Sequence, residues 1–304
     1  MGQSISLVLG SGGARGYAHI GVIEVLEEAG FEIRAIVGSS MGALIGGLYA
    51  NGTLDQYKEW VLTLEFMDIL RLVDFTLDKT GMIKGDRVFE RMATMLGDTT
   101  IESLPIDFTA VATDLVTHRE VWLQRGSLKD AIRASIAIPM LLRPVRRGGR
   151  LLVDGGILNP LPVAPTVSHQ CDAVFAVNLN AIQSPGYAVT PSVEEQQRQE
   201  AFGLSLTSFF GTMSRSTARK QRSTMGKLDL LSRTFECMQL SLSSYKNAGY
   251  PADLTIEIPA ESCRFYDFHR AYEMIEVGRR ATRELLDARG WPGGNMSVER
   301  SVVG

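Results

Sequence analysis

Two short apolar runs each end in a glycine-rich turn and lead into a helical pattern. This pairing constrains the chain more than any other feature. Ile5–Leu9 runs into Gly10-Ser11-Gly12-Gly13-Ala14-Arg15-Gly16, after which Ile20, Val22, Ile23, Val25 and Leu26 recur at helical spacing until Gly30. Phe31–Val37 breaks at Gly38-Ser39-Ser40-Met41-Gly42, and a small-residue helix follows over Ala43–Ala50. Strand, glycine turn, helix, given twice, is the pattern of parallel βαβ units. Strands in such units are covered on both faces and so read as continuous apolar runs. The expected fold class is α/β, a three-layer α/β/α arrangement around a mainly parallel central sheet.

Residues 53–100 read as mainly helical with a break at Thr80-Gly81. Phe108–Ala112 and Glu120–Leu123 read as strands joined by Thr113–Arg119. Leu128–Ile138 reads as a helix stopped by Pro139, and Leu151–Val153 as a short strand running into Asp154-Gly155-Gly156. Ala173–Val177 is a further strand. Beyond it, Asn180–Gln199 reads as a polar loop, Glu200–Arg233 as helix, Ala252–Ile258 as a late strand and Tyr266–Arg289 as a helix ended by Gly290 and Pro292. The division expected is a catalytic α/β core over 4–180, a mainly helical C-terminal extension over 181–290 packed on that core, and a flexible tail over 291–304.

A chain of 304 residues with 45% apolar composition can bury one sizeable core. Its formal net charge of -3 gives no global field for nucleic acid. Cys171, Cys237 and Cys263 are odd in number and scattered, which suggests neither a disulfide framework nor a zinc site. A reducing, cytoplasmic setting fits. The N-terminus lacks the basic and apolar regions of a secretory signal, and no run reaches the ~18 apolar residues of a membrane span. Gly2 and Ser6 match the short myristoylation pattern, but Ser6 falls inside the first expected strand.

Gly38-Ser39-Ser40-Met41-Gly42 has the G-x-S-x-G spacing between a strand and a helix, the context of a nucleophile elbow. Its central Ser40 would project at a helix N-terminus, where backbone N–H groups favour developing negative charge. A plain glycine turn is the alternative. The Gly10–Gly16 loop is not a dinucleotide fingerprint, because Arg15 takes the sixth place, and it lacks the G-K-[ST] end of a P-loop. It is either a structural turn or an anion cradle that aims successive N–H groups at one oxygen. Asp154 closes a short strand, where α/β sheets place their sites, although Asp-Gly is also an ordinary turn. A serine hydrolase usually uses a histidine base. None of His19, His118, His169 and His269 stands in a recognisable base motif.

Together, Gly10–Gly16, Gly38–Gly42 and Asp154-Gly155-Gly156 resemble the patatin-like phospholipase family in order and spacing. Ala112-Thr113-Asp114-Leu115, Arg133–Pro139 and Asn159-Pro160-Leu161-Pro162 add to the match. The pattern looks most like the small bacterial cytosolic members, themselves similar to the catalytic domain of neuropathy target esterase. The resemblance covers roughly residues 4–180 and returns over Phe265–Leu286. It implies a patatin-like fold and a serine esterase that hydrolyses acyl esters of lipids, as a phospholipase A or lysophospholipase, through an acyl-enzyme. It implies Ser40 as nucleophile, Asp154 as its base, Gly12 and Gly13 as oxyanion-hole donors, Arg15 as support of the glycine loop or as positive potential near the oxyanion, and no metal or other cofactor. No histidine is then required. Ser11 stands where the family commonly has a third glycine, and both expected donors remain glycine.

Two other functions fit the same serine chemistry: an acyltransferase, and a non-catalytic regulatory protein on this fold. The partner expected is a lipid acyl ester, not nucleic acid. Ala201–Leu228 has no acidic residue and mixes Arg215, Arg219, Lys220, Arg222 and Lys227 with Leu204, Leu206, Phe209, Phe210 and Met213. Such a segment either lies peripherally on the anionic inner face of a membrane or is an ordinary helix with solvated charges. The elbow itself generates a direct prediction. A fluorophosphonate probe should leave its adduct on Ser40, and Ser40→Ala should abolish labelling with the fold intact. Peptide mapping that finds the adduct on Ser39 or Ser135 would displace Ser40 from the role.

Overall fold

The computed structural model describes residues 2–64, 86–139, 142–181 and 227–291. One sheet organises them, in the order β5 (Val145–Arg147), β6 (Arg150–Asp154), β3 (Asp107–Asp114), β2 (Glu32–Ser39), β1 (Ser4–Leu9), β7 (Ala173–Ala181), β8 (Leu254–Pro259), with β4 (Arg119–Leu123) also paired to β3. β3, β2, β1, β7 and β8 are parallel, while β4, β5 and β6 join as antiparallel strands. Ile5 through Leu9 are all fully buried, as a strand covered on both faces requires. The class is α/β with a mostly parallel sheet, as expected. The strand β5 is an addition to the elements expected.

Helices α1 (Ala18–Glu28), α2 (Met41–Ala50), α3 (Leu54–Leu62), α4 (Asp86–Leu96), α5 (Leu128–Ser135) and α7 (Ala271–Ala288) contribute to one large apolar cluster with Ile5, Leu7 and Leu9. The opposite face is thinner. There Val8 and Ala176 pack beneath Leu161 and Val163, in a segment that carries the short 3-10 turns Gly155–Ile157 and Ala164–Ser168. Helix α6 (Lys227–Gly249) precedes β8. The stretch after β7 thus returns both a helix and a further sheet strand before α7. Most of the expected loop over 180–199, most of the basic segment 201–228 and the tail after Pro292 lie outside the described residues.

Two glycines let α7 close over α1. A Cβ on Gly278 would lie 2.0 Å from the Ala18 carbonyl oxygen, and one on Gly21 would lie 2.0 Å from the Ile275 carbonyl oxygen. The helix backbones therefore touch where side chains would otherwise separate them. Glu24 of α1 takes ion pairs from Lys58 of α3 and Arg279 of α7, each at 2.5 Å.

The register on β3 fixes the arrangement most relevant to chemistry. β2 pairs with β3 up to Ser39 opposite Val111, and β6 pairs with it from Asp154 opposite Ala112. β4 occupies the other edge of β3, since Ala110 to Ala112 each face it too. β2 and β6 therefore share one edge of β3 and run toward each other, end to end. The last residue of β6 meets the turn that follows β2. Gly155 permits this junction, because a Cβ there would lie 2.1 Å from the Val111 carbonyl oxygen and 2.7 Å from Ser39 Oγ.

The α1–α7 crossing yields a stability test. Gly278→Val must push α7 off α1, and overpacking of this kind costs about 1–3 kcal/mol or more. Urea unfolding should show the midpoint reduced, whereas Gly290→Ala, which meets no atom but has a φ of +71°, should cost only about 1 kcal/mol of backbone strain. A Gly278→Val midpoint equal to wild type would show that the helices can separate freely.

Candidate active site

Ser40 stands between the end of β2 and the start of α2 with φ 56° and ψ -124°, a conformation side-chain-bearing residues rarely adopt. Its neighbours enforce the turn. A Cβ on Gly42 would lie 2.0 Å from the Leu9 carbonyl oxygen, and one on Gly38 would lie 2.5 Å from Ala43 backbone atoms. The glycines at the two flanks of Ser40 are thus required by close backbone approach. Ser135, at the end of α5, ties the turn down. Its hydroxyl accepts from the Ser40 N–H at 3.0 Å and donates to the Val111 carbonyl at 2.6 Å. Backbone strain of this sort persists only where surroundings hold it, and it gathers at functional sites.

The Ser40 hydroxyl donates to Asp154 Oδ2 at 2.6 Å. Asp154 Oδ1 accepts from the Gly156 N–H at 2.7 Å, and its own N–H donates to the Ala137 carbonyl at 3.0 Å. Both side chains are almost fully enclosed. Burial pushes the Asp154 carboxyl up to about 7, against the smaller opposing pull of the Ser40 and Gly156 hydrogen bonds. A carboxylate with that affinity for a proton, in hydrogen-bond contact with a hydroxyl, can take the hydroxyl's proton near neutral pH.

The histidines stand elsewhere. His19 is wholly buried, with Nε2 2.8 Å from the Gly10 carbonyl oxygen, and burial lowers it to about 4, so it is neutral and donates that bond. His169 Nδ1 is 3.0 Å from Ser6 Oγ. His118 is exposed in the turn between β3 and β4, and His269 precedes α7 beside Asp267.

The glycine loop is held at nearly every amide but two. Gly10 N–H donates to the Val177 carbonyl at 3.1 Å, Ser11 N–H to Pro160 at 2.7 Å and Ala14 N–H to Phe265 at 2.8 Å. The N–H groups of Gly12 and Gly13 take no acceptor among the described residues. Gly13 has a φ of +57°, and a Cβ there would lie 2.3 Å from the Phe265 carbonyl oxygen. Its identity is therefore already demanded by shape, whatever its N–H does.

Arg15, only 1% exposed, anchors this loop to distant chain. Its guanidinium donates to the carbonyls of Ala260 at 2.8 Å and Cys263 at 3.3 Å, to Asn180 Oδ1 at 3.0 Å and to Glu236 Oε1 at 3.1 Å. Asn180 in turn donates to the Ser11 carbonyl at 2.9 Å. Gln239 of α6, fully buried, reaches Ser11 Oγ and the Gly156 carbonyl, both at 3.1 Å, and so links the glycine loop to the Asp154 loop. Ser135, Asn180 and Gln239 are the supporting residues that sequence reasoning missed. Ser135 lies in a stretch already matched by motif, but Asn180 and Gln239 carry no local signal. Among the described residues, no group of three or more His, Cys, Asp or Glu could hold a metal ion, and no helix is long and apolar enough to cross a membrane.

The family model described as patatin-like phospholipase matches residues 7–167. An NTE family protein of Mycobacterium tuberculosis strain H37Rv is 39% identical over 93% of this chain and 91% of its own length. Its counterpart in Mycobacterium bovis matches to the same extent. The protein named lysophospholipase NTE1 of Candida glabrata is 26% identical over 94% of this chain, but only 16% of its own length is covered.

Ser135 offers a test of how the turn is held. Ser135→Ala leaves the buried Ser40 N–H and Val111 carbonyl without their partner, which costs about 1–3 kcal/mol. Thermal unfolding should register that loss, and fluorophosphonate labelling of Ser40 should slow. Labelling at the wild-type rate would mean that the turn keeps its shape without Ser135.

Proposed function

The chain belongs to the patatin-like phospholipase family, and we propose that it is a serine esterase of phospholipase A or lysophospholipase type in which Ser40 and Asp154 form the catalytic dyad. The observation that carries this reading is the 2.6 Å hydrogen bond from the Ser40 hydroxyl to a buried carboxyl with raised proton affinity. The relative named a lysophospholipase supports the choice of a lipid ester, although this chain corresponds to 16% of that protein.

In this mechanism Asp154 Oδ2 removes the Ser40 proton as Oγ attacks the acyl carbonyl carbon. The carbonyl oxygen becomes an oxyanion that takes hydrogen bonds from the Gly12 and Gly13 N–H groups. Collapse breaks the ester C–O bond, and the proton on Asp154 passes to the departing alcohol oxygen. Water then attacks the acyl-Ser40 ester, losing a proton to Asp154, and the returning proton regenerates the Ser40 hydroxyl as the fatty acid leaves. Arg15 supports the loop that carries the oxyanion donors. It holds that loop from behind through Ala260, Cys263, Asn180 and Glu236. The short N-terminus of α2 at Ser40 adds favourable potential for negative charge.

Lipid product analysis of wild type against Ser40→Ala tests the activity, with released fatty acid expected only from wild type. The base has a pH signature. On an uncharged ester, kcat/KM should fall about tenfold per pH unit below about 7, as Asp154 takes up its proton. A profile flat from pH 5 to 8 would remove Asp154 as the base. Stability should run the other way. The folded carboxyl binds its proton more tightly than an unfolded aspartate of about 4. Its contribution is therefore full below about pH 4 and is lost as pH rises through about 7. Asp154→Asn, inactive as an esterase, should then be more stable than wild type at pH 8, by up to about 4 kcal/mol. Calorimetry of the pair across that range checks the sign.

A further inference from the structure

The strands that flank the end of β3 carry a basic surface that neither the dyad nor its supports use. β4 with the turn after it and the β5–β6 hairpin hold Arg119, Arg125, Arg146, Arg147 and Arg150 against Glu120, in a chain whose net charge is -3. β5 and β6 form a hairpin whose two-residue turn is Gly148-Gly149, with Arg147 opposite Arg150. Both glycines have positive φ, 55° and 77°, as the tight hairpin turn of that length requires. The arginines thus stand on a defined hairpin. Together with Arg125 and Trp122 of the β4 region, Arg147 and Arg150 line an open groove of about 460 Å³, floored by Val121, Leu123 and Leu152.

Among the described residues, no carboxylate belongs to the lining of this groove. The nearby acids are mostly bound elsewhere. Glu120 pairs with Lys246, Asp114 accepts from Val116 N, Thr117 Oγ1 and Leu151 N inside its own turn with Arg150 a weaker neighbour, and Glu102 accepts from Gly126 N–H with Arg125 a weaker neighbour. Apolar side chains accompany the charge. Trp122 is 45% exposed and Val116 64%, and the turn carrying Leu115 and Val116 is bonded to β6 through Leu115 N to the Leu151 carbonyl.

We propose that this groove and hairpin dock the protein on an anionic phospholipid bilayer. Arginines meet the lipid phosphates, and Trp122 with the Leu115–Val116 turn enters the interfacial layer. The mixture of exposed aliphatic and aromatic groups with arginine favours a bilayer over a nucleic acid, which offers no apolar layer to receive Val116 or Leu115. The choice of a bilayer also rests on the lipid-esterase reading. Docking there places the site close by: β6 runs from Arg150 to Asp154, about 13 Å at ordinary strand rise.

The test uses the full chain and sedimentation with vesicles of pure phosphatidylcholine or of equimolar phosphatidylcholine and phosphatidylglycerol. Wild type should bind the anionic vesicles and scarcely the neutral ones. The double variant R147E/R150E replaces one like-charged cross-strand pair by another, so it should keep the hairpin. It should lose at least about tenfold in affinity for anionic vesicles. Trp122→Ser should weaken binding as well. Hydrolysis of a soluble short-chain ester should be unchanged in both variants. If wild type lacks that hydrolysis, the esterase reading fails while the vesicle result still decides the docking surface. Equal binding to both vesicle types overturns the proposal. So does wild-type affinity in R147E/R150E, or retention by single-stranded RNA more tightly than by vesicles.

Discussion

A carboxyl group sealed from water against a serine hydroxyl is what the rest of the structure is arranged around. Ionising a buried aspartate costs free energy, and at Asp154 this shows as a carboxyl raised to about 7. Among the described residues, two hydrogen bonds offset that cost, from Ser40 and from Gly156. The fold accepts this because β2 and β6 must abut on β3. Once Ser39 pairs with Val111 and Asp154 with Ala112, the Ser40 hydroxyl and the Asp154 carboxyl are brought together. The close contact is a property of sheet register before it is a property of side chains.

The loop facing this pair is held by a different kind of force. Gly10, Ser11 and Ala14 spend their N–H groups on the carbonyls of Val177, Pro160 and Phe265. Arg15, Asn180 and Gln239 then fix the loop from three further directions with charged or amide hydrogen bonds. Buried polar groups with several partners are costly to leave half-satisfied, so such networks favour one geometry over its neighbours. On the proposed mechanism, a loop fixed in this way would meet developing charge without first having to reorganise.

Much of this was legible in the sequence, for reasons that differ by residue. The elbow around Ser40 announces itself because its requirements are local: glycine, serine and glycine at fixed spacing between a strand and a helix. The parallel sheet follows from continuous apolar runs, and their centres were placed correctly. β7 nevertheless continues through Asn178 to Ala181, because Asn180 is buried with bonds to Arg15 and Ser11 rather than solvated. Ser135 and Gln239 work through atoms 24 to 228 residues away along the chain, and no window of sequence holds both partners. The β5–β6 hairpin was missed although Gly148-Gly149 is an ordinary hairpin signal, since its arginine-rich flanks lack the apolar alternation that marks a strand. Arg15 was assigned by resemblance to loop support or to local potential. Its four hydrogen bonds run to distant chain, a set of partners that no local stretch of sequence shows.

The partners of the glycine loop have a bearing on biosynthesis. Residues 10–15 leave the ribosome well before the groups that hold them, Gln239 on α6 and then Ala260, Cys263 and Phe265. A nascent chain can lay down β1 to β3 early, since its N-terminal part is synthesised first. It cannot fix the geometry of that loop until some two hundred and fifty residues later. Contacts of such long sequence separation slow folding. They also mean that the loop beside Ser40 takes its final shape only after α6 and the stretch to Phe265 have been made.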